Sequence, residues 1–203
     1  MSHVASARSW ASWCVPLLIC VVAAGLQITA FFPGYVTHDS AYQWWQGRHH
    51  EITTLWPPGQ ALLLGLFDAP GTGRGPATLY VLHSILYWAC VAHLSLIQRS
   101  AALRITVAVA FCVFPTAIIC LPHVWSDVSL AVWLLAATLG LDFALRGEYS
   151  SFARRCLIAV CTAALVATVL LRHNALLSLP PLLWFAITRW HRTERGGHDA
   201  PLR

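Results

Sequence analysis

With 203 residues, 58% of them hydrophobic and only 10% charged, the chain lacks the charged surface that a soluble domain of this length needs. Its thirteen basic residues, all arginine, outnumber eight acidic ones, yet no stretch interleaves bases with aromatics as a single-strand nucleic-acid groove does, so nothing points to nucleic acid. The apolar residues come in blocks near the ~20 residues a helix needs to cross hydrocarbon, and helices satisfy every backbone polar group within their own segment. The chain therefore reads as all-α: a polytopic membrane helix bundle of about six transmembrane helices, with a long first outer loop carrying short interfacial helices.

A head of residues 1–14, containing Arg8, precedes a first span predicted over Val15–Phe32. A signal peptide cleaved after Ala30 is disfavoured, because more spans follow and Ile28 is a poor partner for such a cut. The loop from Pro33 to Ala77 is rich in Trp, His, Gly and Pro. Its one apolar run, Gln60–Phe67, is too short to cross and reads as an interfacial or re-entrant helix started by Pro57-Pro58. Trp44, Trp45 and Trp56 suit an aromatic belt at the membrane surface, with Ala41–Gln46 lying flat there.

Further spans are predicted over Thr78–Ile97, Leu103–Leu121, Val128–Leu145, Cys156–Leu171 and Ala175–Ile187. The last two form a hairpin pinched at Arg172-His173-Asn174, and Pro180-Pro181 kink the return. The segment 15–187 is thus one transmembrane domain, and 188–203 a polar cytoplasmic tail expected to be disordered. The seven cysteines lie within or beside apolar blocks at spacings that match no metal motif, so they read as packing residues.

Arginine placement orients the bundle. Ten of the thirteen fall on one side of the six-span reading, and only Arg48, Arg74 and Arg172 on the other. That bias puts both termini in the cytoplasm and the long loop outside. The expected location is the bacterial cytoplasmic (inner) membrane.

Polar residues that packing does not explain collect on the outer side. Asp39 lies within Tyr35-Val36-Thr37-His38-Asp39-Ser40, Asp127 ends the turn Pro122–Asp127, and Arg172, His173 and Asn174 sit at the pinch. Charges near hydrocarbon are costly, ~2.5–3.5 kcal/mol at a span centre, so such residues usually have a role. Simpler readings stand beside this one. Asp127 could cap the helix beginning at Val128 and Asp39 a short helix over Ala41–Gln46, while Arg172 could snorkel to headgroups. Asp142 pairs with Arg146 at helical i, i+4 spacing and is assigned no function. Five histidines, His38, His49, His50, His123 and His173, map to the same side, but no pair has the spacing of a zinc site, and no metal or other cofactor is assigned.

The runs Phe32-Pro33-Gly34-Tyr35…Asp39-Ser40, Trp56-Pro57-Pro58, Trp125-Ser126-Asp127 and Arg172-His173-Asn174-Ala175-Leu176, in that order, resemble the N-terminal part of GT-C-type glycosyltransferases. These multi-span enzymes take sugar from a polyprenyl-phosphate carrier on the outer membrane face. The resemblance implies that Asp39 is the base on the acceptor and Asp127 a second catalytic acid. It implies that Arg172, His173, Asn174 and Trp56 contact substrate. The partners it implies are the membrane lipid, the polyprenyl-phosphate sugar donor, and a subunit supplying the helices that family members have beyond six.

The residue chemistry is compatible with this. Attack at an anomeric carbon needs a carboxylate to take the acceptor's proton and a cation where the departing phosphate gains charge. A competing reading is a non-catalytic subunit or inactive relative, favoured by the six-span length and by Trp56 and Ser126 standing where related sequences often carry His and Lys. A transporter would put ionisable residues mid-span or break paired helices at mid-membrane, and neither pattern is present.

Overall fold

In the computed structural model, the described residues are 2–53, 56–68, 72–145 and 150–196. Among them nine α-helices follow in order: α1 (Ser2–Phe31), α2 (His38–His49), α3 (Gly59–Phe67), α4 (Gly75–Leu96), α5 (Ala101–Cys112), α6 (Pro115–Cys120), α7 (Ser126–Leu145), α8 (Ser151–Leu171) and α9 (Leu179–Gly196), with a 3₁₀ turn over His173–Ser178. The all-helical expectation holds. The expected six spans do not.

Among the described residues, four helices are long and apolar enough to cross a bilayer: Ser12–Phe31 within α1, Gly75–Leu96, Ser126–Leu145 and Phe152–Leu171. The block Leu103–Leu121 fails because Pro115 interrupts it. Proline has no N–H to give the preceding turn, and it forces the residue before it out of helical geometry; Phe114 is accordingly extended, at φ −71° and ψ 111°. The longer piece, α5, has 12 residues, or about 18 Å of rise against ~30 Å of hydrocarbon.

The block Ala175–Ile187 fails differently. It begins as the 3₁₀ turn and then joins α9, which runs on past Thr188 to Gly196 and so takes in Arg189, Arg192, Glu194 and Arg195. Pro180 and Pro181 fall in the first turn of α9, where a missing N–H costs nothing, so they start a helix instead of kinking one. Residues 197–203 of the expected tail, and Arg146 of the expected Asp142 pair, lie outside the described residues.

Two ends of the bundle are defined by polar ties. At one, the Arg104 carbonyl accepts from Ser95 Oγ, the guanidinium reaches Ser12 Oγ at 3.4 Å, and its carbon lies 3.6 Å from the centroid of the Trp13 ring. That joins the start of the α1 span, the end of α4 and the start of α5. At the other end the chain leaving α1 pairs with the chain entering α7. Tyr35 N–H donates to the Pro122 carbonyl at 2.8 Å, and Val124 N–H to the Tyr35 carbonyl at 3.0 Å.

Between the ends, Gln27 is the polar node of α1. It donates to the Ala117 carbonyl at 3.1 Å, accepts from Trp88 Nε1 at 2.8 Å, and its own carbonyl accepts from Tyr80 Oη at 2.7 Å. Bonds of this kind fix helix contacts where hydrocarbon offers no competing partner.

Apolar packing is divided among local clusters. Cys20, Trp88, Val91 and Ala108 join α1, α4 and α5, while Ala137, Leu141, Cys161 and Leu165 join α7 to α8. Outward faces are aliphatic: Leu18, Val21 and Leu26 on α1, Val160 and Val166 on α8, all exposed. Such faces are stable only against lipid. The protein is a multi-pass helical membrane protein.

Candidate functional site

The site is built where three loops meet at the Tyr35–His123 end. Thr37 is extended at φ −87°, ψ 172° and immediately precedes α2. Its Oγ1 accepts from Trp125 Nε1 at 3.2 Å, and Ser40 Oγ donates to the Val124 carbonyl at 2.7 Å. These two bonds clamp the Tyr35–Ser40 segment onto the Pro122–Asp127 turn. Behind the turn, buried Gln60 of α3 donates to the same Val124 carbonyl at 3.4 Å and accepts from Ser129 Oγ at 2.6 Å. The first turn of α7 is thereby fixed from both sides.

Asp39 lies within the first turn of α2, with its side chain 68% exposed. It does not precede a helix over Ala41–Gln46 as a cap would; Thr37 holds the cap position, one residue before the helix begins. Among the described residues its carboxylate meets only His38 Nδ1, at 3.9 Å, beyond hydrogen-bond reach. Among the described residues, Asp39 is a carboxylate with no hydrogen-bond partner, on an anchored turn.

Asp127 is also inside its helix, in the first turn of α7, where a negative charge opposes the helix dipole's positive end. Its carboxylate pairs with Arg172 Nη2. Arg172 ends α8 in extended geometry at φ −154°, ψ 131°, its N–H donating to the Thr168 carbonyl. His173 and Asn174 follow as exposed residues of the 3₁₀ turn. Two of the three loops therefore meet through a direct ion pair, and the first joins them through Thr37, Ser40, Val124 and Trp125. No hydrogen bond or ion pair links Asp39 itself to Asp127 or Arg172 among the described residues.

Trp56 sits edge-on to Tyr42, ring centroids 5.6 Å apart. Beside the pinch, an apolar groove of about 220 Å³ runs between α3 and α8, lined by Leu62, Leu66, Trp133, Ala167 and Leu171 among others. Its lining ends one residue before Arg172. Among the described residues no three His, Cys, Asp or Glu side chains gather as a metal ion would require.

Sequence reasoning overlooked Asp68. It is buried at the end of α3 and collects Trp44 Nε1 at 2.8 Å, Arg48 Nε at 3.1 Å and the Arg74 N–H at 3.0 Å. Burial pushes its carboxyl pKa up, but those donors, the Arg48 charge and the Gly75 N–H outweigh that and hold it below its ordinary value. It ties α2, α3 and the start of α4 into one unit. The hint in the sequence was an acid directly after an apolar run, with an arginine on either side in the same loop.

No family model matches the chain, and no curated protein or solved structure does either. The resemblance to GT-C glycosyltransferases rests on the sequence motifs alone.

Proposed function

We propose that the protein transfers a sugar from a polyprenyl-phosphate carrier to an acceptor hydroxyl at the outer membrane face. The observation that carries this reading is the meeting of the three motif-bearing loops at one end, with Asp39 exposed on the best-anchored of them and, among the described residues, hydrogen-bonded to no side chain. Asp39 takes the acceptor's proton as its oxygen bonds to the anomeric carbon, and the carrier phosphate leaves with the electron pair of the broken C–O bond.

Arg172 supplies positive charge to that phosphate. A guanidinium has five N–H donors, and the pair with Asp127 involves Nη2. The role of Asp127 in this reading is to aim the fork, more than to act as a second base. The apolar groove that ends beside Arg172 suits the carrier's hydrocarbon. His173, Asn174 and Trp56 border the same end.

The outer assignment of this end rests on arginine placement. Arg48, Arg74 and Arg172 belong to it, while Arg99, in the connection from α4 to α5, and Arg104, Arg154 and Arg155, near the starts of α5 and α8, belong to the other.

The test is transfer from a labelled polyprenyl-phosphate sugar in reconstituted membranes, with carrier binding measured separately. A wild-type protein that binds no polyprenyl phosphate would make the non-catalytic membrane component the better reading.

A further inference from the structure

The amino-acid sequence of α9 changes character halfway. Residues 179–187 are all apolar, and residues 188–196 hold Arg189, Arg192, Glu194 and Arg195. α8 shows the same change in the opposite sense. Arg154 and Arg155 stand near its start, and residues 156–171 carry no charge. Arginine is costly in hydrocarbon, so each helix crosses the edge of the bilayer where its arginines meet its apolar run.

The structure puts these two edges at one level. Leu179 and Leu182 rest on the cluster that joins α7 to α8. Farther along α9 a crevice of about 330 Å³ stays open, walled by Ile158, Thr162 and Val166 of α8, Leu183 and Ile187 of α9, and Leu145 at the end of α7. Thr162, Val166, Leu183 and Ile187 are exposed, so the described side chains leave it unfilled. Ile158 follows Arg155 by three residues, which puts the two on adjoining positions of α8. Ile187 precedes Arg189 by two. The crevice therefore ends at the arginines.

Its dimensions and charge select an occupant. The walls over residues 158–166 and 179–187 each cover about 12 Å at helical rise, against ~15 Å of hydrocarbon in one leaflet and ~30 Å in two. That suits a chain confined to one leaflet and is too short for a spanning helix of a second copy. Among the described residues, α7, α8 and α9 bring five arginines to this end, Arg154, Arg155, Arg189, Arg192 and Arg195, against the two acids Asp142 and Glu194. Asp142 is buried, whereas Arg155 is exposed. A free phosphate would use the charge and leave the apolar walls empty; a lipid with a negative headgroup uses both. The groove beside Arg172 shares no lining residue with this crevice and lies at the other end of α8.

We propose that the crevice between α8 and α9 holds an acyl chain of one anionic phospholipid, with its phosphate at the arginine-bearing ends of the two helices. The site does not depend on sugar transfer.

The experiment takes the full chain from vesicles of phosphatidylglycerol and phosphatidylethanolamine in equal parts, doped with polyprenyl phosphate, and identifies by native mass spectrometry the lipid each chain retains. Wild type keeps one phosphatidylglycerol, preferred over phosphatidylethanolamine by about tenfold or more. Arg155→Gln and Arg192→Gln each reduce that preference about fivefold. Thr162→Trp fills the crevice and lowers retention about tenfold. Val160→Trp is the control, on an exposed position of the same helix that does not line the crevice, and leaves retention within about twofold. Thermal stability is measured for every variant, and the two arginine variants keep the test open if Thr162→Trp does not fold.

No retained lipid, or equal retention of the two phospholipids, overturns the site. So does equal loss in Thr162→Trp and Val160→Trp, which would mean that the lipid is only part of the surrounding bilayer. Polyprenyl phosphate or a second copy of the chain, held by wild type and released by Thr162→Trp, would assign the crevice to that occupant and overturn the proposal as well.

Discussion

Arg172 donates to Asp127, 45 residues before it in the chain, and so joins the end of α8 to the first turn of α7. Both side chains are partly exposed, 39% and 58%, and an ion pair open to water adds little stability, about 1 kcal/mol at most. Asp127→Asn and Arg172→Ala should each shift thermal stability only slightly. Their effects on carrier binding should be non-additive in a double-mutant cycle, since one residue aims the other. Additive losses would show that the pair does not act as a unit.

Asp68 behaves differently because it is buried. Asp68→Asn leaves an amide facing donors it cannot satisfy, at a cost of about 2–3 kcal/mol. Its pKa is held below its ordinary value of 3.8, so the stability it confers is present above that value and lost as pH falls through the lower folded-state value. The gap in unfolding free energy between wild type and Asp68→Asn should be constant from about pH 5 to 8 and narrow below about pH 4. A gap that instead changes between pH 6 and 8 would mean the carboxylate is not held by those donors.

Backbone approach sets the position of α2 on α3. A Cβ built on Gly47 would lie 2.1 Å from the Ala61 carbonyl oxygen, and one on Gly59 would lie 2.5 Å from that of Leu170. Neither carbonyl can retreat without moving its helix. Gly47→Ala should therefore destabilise by about 1–3 kcal/mol, with increased hydrogen exchange in α2 and α3 as the readout. Unchanged exchange there would contradict so close a contact.

The long apolar blocks were legible: α4, α7, α8 and most of α1 lie where hydropathy placed them, and the short apolar run before Asp68 is the helix α3. The break in the Leu103–Leu121 block was legible in principle, since Pro115 stands inside it, but block hydropathy outweighed that single residue in the reading. The amphipathic course of α9 was obscured because its apolar half was counted apart from its charged half. The convergence of the three loops followed from chain order. The bonds that hold them, through Ser40, Gln60 and Val124, did not, because they depend on which face of α3 meets the turn. Asp68 was overlooked for a similar reason: its partners, Trp44 and Arg48 of α2 and the backbone of Arg74 at the start of α4, are brought to it only by the packing of those elements.

Orientation has a direct check. Cysteines introduced at Glu51 and Arg74, in a chain lacking its native thiols, should react with an impermeant reagent from outside intact cells. One at Ser100, at the end where Ser95 meets Arg104, should react only after the membrane is opened. Labelling of Ser100 in intact cells would reverse the bundle and place Asp39 in the cytoplasm.

The central claim is that Asp39 is the base in sugar transfer, and the most direct measurement is the turnover of Asp39→Asn in reconstituted membranes with a labelled polyprenyl-phosphate sugar. Asparagine keeps the shape but accepts no proton. Asp39 is exposed and, among the described residues, bonded to no neighbouring group, so folding and carrier binding should be unchanged. Loss of a positioned base lowers the rate by about 10²–10⁴-fold, and that is the predicted result. A wild type that transfers sugar and an Asp39→Asn variant that does so at the same rate would contradict the account.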